Sequence, residues 1–271
     1  MPKEKNYTKK KFSATRMILA DYNAVAAASP RVSGLIEVDV TNALAKIAEI
    51  EKKENYKVSM TGFSVKCVAQ AVLDNMHLNS YRRRRKLIIF DNVDVSIIVE
   101  LTRKDGKKVP YNYVIRKAET KSLRMITDEI REAQSKTIEA QEQLTRGTTA
   151  YMGFYSILPR FFRIWVIRKL LSNPFYLKKL IGTVGITSLG MFIKGQGGWA
   201  VPFSDKTLNL AFGGIKSNAI LKDGKIEERK LLCTTFLFDH DIVDGAPAAR
   251  FVKRFSELMG DTFYLDDLDK I

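Results

Sequence analysis

The chain has 271 residues, and 45 Lys+Arg against 30 Asp+Glu leave a net charge of +15. Its 45% hydrophobic and 28% charged residues form an ordinary globular balance, which excludes a disordered or low-complexity protein. Two cysteines, Cys67 and Cys233, exclude a disulfide framework and a four-thiolate zinc site, and no metal is expected. The charge excess invites an anionic partner: nucleic acid, an anionic membrane or a phosphorylated small molecule.

Residues 1–11 read as a basic N-terminal arm without the apolar core of a secretory signal. No apolar run reaches the length of a membrane-spanning helix, so a cytoplasmic location is expected, peripheral membrane contact being left open. The spacing predicts a helix over Phe12–Ala28, ended by Pro30, then a strand over Leu35–Val40 bounded by Gly34. Thr41–Lys53 reads as a helix with Thr41 as its cap, and Gly62–Met76 as a buried helix. Arg82–Lys86 is a basic run suited to a solvated loop. Val93–Leu101 and Lys107–Arg116 are strands joined at an Asp105-Gly106 turn, and Ser122–Leu144 is a long polar helix. Thr183–Thr187, Thr207–Gly213 and Lys230–Phe238 are further strands, with a hairpin turn at Asp223-Gly224. Ala246–Met259 is a terminal helix with Pro247 in its first turn. Helices and hairpins without repeats or a Pro/Ser-rich linker predict one α+β domain over 12–271.

There are two histidines. His77 lies near a helix end, where a neutral structural imidazole is common. His240 sits in Phe238-Asp239-His240-Asp241-Ile242-Val243-Asp244-Gly245, delivered by an apolar strand and followed by a helix. By itself His-x-x-x-Asp-Gly is a weak signal, because Asp-Gly ahead of a helix is a common cap.

The longer run through Ala246, Ala248-Ala249-Arg250-Phe251, Lys253-Arg254-Phe255 and Glu257-Leu258 resembles the C-terminal signature of the dihydrolipoamide acyltransferase catalytic domain. That family shares its fold with chloramphenicol acetyltransferase. Other stretches resemble it in order: Ser13-x-x-Arg16, Glu37-Val38-Asp39-Val40-Thr41, Asp105-Gly106 with Val109-Pro110, Ile186-Thr187-Ser188-Leu189-Gly190, Gly213-Gly214-Ile215 and Asp223-Gly224-Lys225. The likeness covers 12–260 apart from a segment near 151–180.

The resemblance implies a central mixed sheet with flanking helices and an active site at the interface of a homotrimer. It implies transfer of an acyl group between a CoA thioester and a thiol or hydroxyl, with acyl-CoA as substrate. His240 takes the role of general base, a role worth about 10²–10⁴ in rate. Thr187 takes that of the hydroxyl oxyanion donor with Ser188 as fallback, and Asp244 pairs with Arg16 to hold the loop carrying His240. The histidine and the hydroxyl come from neighbouring subunits. Thr187 stands for the family's usual Ser, and Asp241 for an Arg common in the dehydrogenase-complex enzymes. No lipoyl domain precedes the matched region, so no lipoyl group is expected on this chain. Two alternatives stay open: the core acyltransferase of a 2-oxoacid dehydrogenase complex served by a separate lipoyl protein, and a non-catalytic scaffold.

Two basic regions remain. Arg82, Arg83, Arg84 and Arg85 could meet the phosphates of CoA, since guanidinium binds phosphate bidentately, or simply be solvated. The 151–180 segment interleaves aromatics with Arg and Lys, and from Gln143 to Ser204 no acidic residue occurs. It is compatible with lipid contact, a lipid-like acceptor, a lid over the active-site channel or a protein-docking surface. No helix-turn-helix, zinc finger or RNA-binding signature is present, so nucleic acid is not expected.

Overall fold

The computed structural model describes residues 7–103, 106, 108–138, 155, 157–190, 197–222 and 224–271. Its main sheet is built from β1 (Arg31–Asp39), β4 (Val95–Arg103), β5 (Lys108–Ile115), β6 (Thr137–Ile138), β7 (Val184–Ser188), β8 (Leu208–Lys222) and β9 (Lys225–Asp239). The strand order is β1-β9-β8-β7-β4-β5, with β6 beside β4. The β4–β7 and β7–β8 pairs are parallel, whereas β1–β9, β8–β9 and β4–β5 are antiparallel. This is the expected α+β architecture with a mixed central sheet.

The helices that close the core are α2 (Thr41–Glu54), α3 (Met60–Leu73), α4 (Leu123–Ser135) and α7 (Gly245–Gly260). Helix α3 is apolar nearly all round, and residues Gly62 through Ala69 are buried. Such a helix must be covered on every side, and α3 lies between α4 and α7. It even takes in Lys66, whose ammonium donates to the carbonyls of Glu119 and Lys121 at 3.3 and 2.9 Å. On α7, Phe251 and Phe255 are one turn apart and meet Phe236 and Phe238, alternate residues of β9. The Phe236 and Phe255 rings stand edge to face at 5.5 Å, and those of Phe238 and Phe251 at 6.2 Å.

Several boundaries differ from the sequence expectations. β1 starts at Arg31 rather than Leu35, because Arg31–Gly34 also pair with β9 and Gly34 lies inside the strand. Thr41 is the first residue of α2 rather than its cap: its hydroxyl donates to Asp39 Oδ1 at 2.6 Å and accepts from the Lys230 N–H at 2.8 Å. Ser122 is the cap of α4, accepting from the Met125 N–H. That helix stops at Ser135, where the β-branched pair Thr137–Ile138 turns the chain into a strand beside β4. The rest of the expected helix, 139–144, lies outside the described residues, as do Asp105 and Asp223 of the two predicted turns. Their glycines, Gly106 and Gly224, have φ of 78° and 76°, as tight turns require. The Arg82–Lys86 run is not a loop but the turn end of a hairpin, β2 (Ser80–Arg83) and β3 (Lys86–Ile89), with Arg84 at φ 55°.

Helix α1 (Ala14–Ala26) packs against α5 (Arg160–Leu171), and α5 against α6 (Pro174–Ile181). Pro159 precedes α5 and Pro174 opens α6, positions where a missing N–H costs nothing. The buried carboxylate of Asp21 on α1 accepts from Arg163 Nε of α5 at 2.8 Å and from the Tyr155 hydroxyl at 2.9 Å. At its C-terminal end, α6 is clamped by Arg116, which donates to the carbonyls of Lys178 and Lys179. Gly182, which follows, has φ 74°, and a Cβ there would stand 2.6 Å from the Asp94 carbonyl oxygen. Any side chain at 182 would force β7 away from β4.

Truncating Phe255 to Ala should cost about 3–5 kcal/mol, the range for a large aromatic lost from a packed core. Calorimetric unfolding of the variant checks this; an unchanged midpoint would contradict the packing described. Arg163→Ala should cost about 3–5 kcal/mol, because it strands the buried Asp21 carboxylate, and Asp21→Asn/Arg163→Met together should cost less than either single truncation.

Candidate active site

β9 carries the chain to a turn whose geometry is set by Asp239. Its N–H donates to the Thr207 carbonyl at 3.0 Å, and its own carbonyl accepts from the N–H groups of Ile242 and Val243. Its carboxylate accepts from the Asp241 N–H at 3.1 Å and forms an ion pair with Arg31 at 3.0 Å. Arg31 in turn donates to the Lys206 carbonyl at 2.7 Å. His240 is thus presented outward on a fixed backbone: its N–H donates to the Pro30 carbonyl at 2.9 Å, and its side chain is exposed. Asp244 is the N-cap residue of α7, exposed, with no capping bond from its side chain.

The expected ion pair between Arg16 and Asp244 is not formed among the described residues. Arg16 is exposed in the first turn of α1, its N–H bonded to Ser13 Oγ at 3.2 Å. Asp21 of the same helix faces α5, and Arg16 lies about 140° around the helix from it, so it points elsewhere. The arginine that fixes the histidine turn is Arg31. The signal for it was an Asp immediately before the histidine, in need of a cation when buried at a strand end.

Thr187 and Ser188 lie at the C-terminal end of β7, half-buried. Thr187 pairs with Ala211 of β8, which pairs with Thr235 of β9. His240 is five residues past Thr235, on the side toward the start of β7. Within one chain the two are therefore separated by about 17 Å along the strands and about 10 Å across them. The fold does not bring them together; it places them toward opposite ends of the sheet.

Beside the histidine turn is a cavity of about 350 Å³ whose walls include Tyr22 of α1, Arg82 of β2, Arg168 and Leu171 of α5, Asp205 and Asp241. The Asp205 carboxylate accepts from the Tyr22 hydroxyl at 2.6 Å and pairs with the buried Lys206 ammonium at 2.6 Å. Burial pushes the Tyr22 hydroxyl well above its ordinary range, and the Asp205 carboxylate adds to that. Burial alone would raise the Asp205 carboxyl, but Lys206, Tyr22 and Asn209 together hold it below the ordinary value. None of Tyr22, Asp205 and Lys206 carried a recognisable motif; they are adjacent through the fold alone.

The four arginines Arg82–Arg85 are all exposed at the β2–β3 hairpin. Arg82 reaches the histidine turn, where it donates to Asp241 at 2.7 Å. Asp241, which differs from the Arg common at that place, is therefore matched by a cation.

Against known proteins, the profile of the 2-oxoacid dehydrogenases acyltransferase (catalytic domain) matches residues 4–149 and 180–264. The dihydrolipoyllysine-residue succinyltransferase component of the 2-oxoglutarate dehydrogenase complex of Buchnera aphidicola subsp. Acyrthosiphon pisum is 23% identical over 79% of this chain and 42% of its own. The chain spans less than half the length of the curated relatives it matches. Among solved structures, a probable dihydrolipoamide acetyltransferase from Listeria monocytogenes superposes with a TM-score of 0.67 at 21% identity, over 94% of each chain. The cubic core of a pyruvate dehydrogenase multienzyme complex superposes with a TM-score of 0.66 at 19% identity, over 97% of this chain and 96% of the other. The fold is thus that of acyltransferase cores, and the profile, covering most of the chain, makes the protein a member of the 2-oxoacid dehydrogenase acyltransferase family. The profile passes over 150–179, the stretch that supplies α5 and most of α6.

The depressed carboxyl of Asp205 contributes stability above the unfolded carboxylate pKa of about 3.9, and that contribution is lost as pH falls through the lower folded value. Asp205→Asn should therefore flatten the acid limb of the stability–pH curve below about pH 4 while lowering stability at neutral pH. Urea melts across pH read both effects, and parallel curves for the two proteins would refute the assignment.

Proposed function

We propose that the chain transfers an acyl group between a CoA thioester and a thiol or hydroxyl acceptor, in active sites formed between the subunits of a homotrimer. The observation that carries the reading is the placement of His240 and Thr187: each is held by the sheet, and they are too far apart within one chain to serve one substrate. A site containing both needs the histidine of one copy beside the threonine of another. Exposed apolar surface supports the association. β8 beyond Lys216 pairs with β9 alone, as a two-stranded ribbon, and its paired Leu221 and Ile226 are 72% and 78% exposed. Such a ribbon is marginal without a partner.

In this reading the His240 imidazole takes the proton of the acceptor hydroxyl or thiol as that atom attacks the thioester carbonyl. The Thr187 hydroxyl, with Ser188 as alternative donor, bonds the oxyanion of the tetrahedral intermediate. The C–S bond then breaks, and the imidazolium returns its proton to the leaving CoA sulfur. Asp239, bound to Arg31, positions the histidine, and Asp244 begins the helix behind it. The hairpin arginines Arg83–Arg85 offer phosphate donors for CoA. The acceptor is a separate molecule, lipid-like or carried on another protein.

His240→Ala should lower CoA thioester turnover by about 10²–10⁴, and Thr187→Ala by about 10²–10³. Mixing the two inactive variants under conditions that exchange subunits should recover activity, because about one quarter of randomly formed interfaces pair an intact histidine with an intact threonine. Undiminished turnover in His240→Ala would sink the mechanism, and no recovery on mixing would sink the shared site. A second reading, the core of a 2-oxoacid dehydrogenase complex fed by a separate lipoyl protein, draws on the likeness to the cubic core; a native mass of three chains in light scattering counts against it.

A further inference from the structure

The outer face of α5 has no role in the acyl-transfer reading. Its inner face is committed, with Arg163 and Ile167 buried against the body of the protein. Its outer face is not. Phe161 is 77% exposed and Trp165 60%, one turn apart on one side of the helix, and Phe162 stacks on Trp165 at 5.7 Å. Ile157, just before the helix, is 79% exposed. Phe161, Phe162, Ile164, Trp165 and Arg168 line an open groove on this face. Single exposed apolar residues need no explanation, but a contiguous aromatic cluster held rigidly outward does.

The electrostatics indicate what covers it. Arg160, Arg168 and Lys169 are exposed around the aromatics, and Lys179 is exposed on the adjoining α6. No acidic residue occurs from Gln143 to Ser204, although the chain carries 30 elsewhere. A protein partner would ordinarily meet a mixture of charges, whereas a uniformly cationic rim around Trp and Phe matches the headgroup boundary of an anionic bilayer. A helix lying in that plane buries its apolar side by about 5–10 Å. The helix also lies in the stretch passed over by the family profile, so its sequence is not one the family shares in common. No helix among the described residues is long and apolar enough to cross a membrane.

We propose that the outer face of α5, Ile157, Phe161, Phe162 and Trp165 within a rim of Arg160, Arg168 and Lys169, docks this protein onto an anionic lipid bilayer. The contact is peripheral and in-plane. It is independent of acyl transfer, and either reading can fail without the other. Arg168 lines both the outer groove and the cavity beside the His240 turn, so docking would bring that cavity close to the lipid surface.

The test is flotation of the full chain with phosphatidylcholine vesicles, with and without one third phosphatidylglycerol. Trp165 emission is followed in a Trp199→Phe background, which leaves it the sole tryptophan. The expected result is flotation with the anionic vesicles, a blue shift of Trp165, and weakening of both by salt. Phe161→Ser/Trp165→Ser, read by flotation, should lower binding at least about tenfold. Lys169→Glu/Lys179→Glu should do the same, since each cation near such a surface is worth about fivefold. CoA thioester turnover without vesicles should be unchanged in the aromatic variant, which shows that it is folded and separates this test from that of the catalytic reading. The proposal is overturned if the chain floats with neither vesicle, or if both double variants float as the parent does. It is equally overturned if the aromatic variant changes only the mass seen by light scattering, which would make a second copy of the chain the occupant.

Discussion

The structure around the candidate active site depends on one carboxylate. Asp239 ends the longest strand pair of the sheet, and its backbone and side chain together hold the N–H groups of Asp241, Ile242 and Val243, three of the five residues that lead into α7. Burying a carboxylate is costly unless it is paired and hydrogen-bonded. Arg31 supplies the charge and the Asp241 N–H the directed bond, so the cost of burial becomes a constraint on geometry. Because Arg31 opens β1 and β1 pairs with β9 along its full length, the histidine turn inherits the rigidity of the sheet rather than that of a loop.

In the proposed reading, the same sheet makes a single chain an incomplete catalyst. Register is a hard constraint: side chains on neighbouring strands keep fixed offsets, and no loop movement brings Thr187 to His240 while β7, β8 and β9 stay paired. If both residues act on one substrate, this register requires two copies of the chain at each site, which the proposed trimer would supply. The solitary end of the β8–β9 ribbon and its exposed apolar pair are consistent with such an association.

Much of the fold was legible in the sequence, and for identifiable reasons. The apolar helix expected over Gly62–Met76 and found over Met60–Leu73, the β-branched run from Val93 and the aromatic strand ending at Phe238 are strong periodic or continuous patterns, and each is present in the structure. The histidine motif and its following helix were equally plain. What was not legible depended on non-local pairing. β1 begins at Arg31 because β9 lies beside it, and the basic run at 82–86 is a hairpin although its charges suggested a loop. Arg16 was expected to hold the site because its motif matched, but a helix presents side chains by rotation, and Asp21 rather than Arg16 faces inward. The ion pairs that do surround the turn join residues 159 and 208 positions apart, 82 with 241 and 31 with 239, and no local pattern announces them.

Those pairs have an electrostatic consequence. Around His240 three cations are matched by carboxylates: Arg31 with Asp239, Arg82 with Asp241, Lys206 with Asp205. Much of the +15 surplus is carried by the sequence of the N-terminal arm, the hairpin tip and α5–α6. An anionic molecule approaching from a distance experiences an attractive field that accelerates encounter. At the turn itself the ion-paired cations Arg31, Arg82 and Lys206 are already matched by carboxylates.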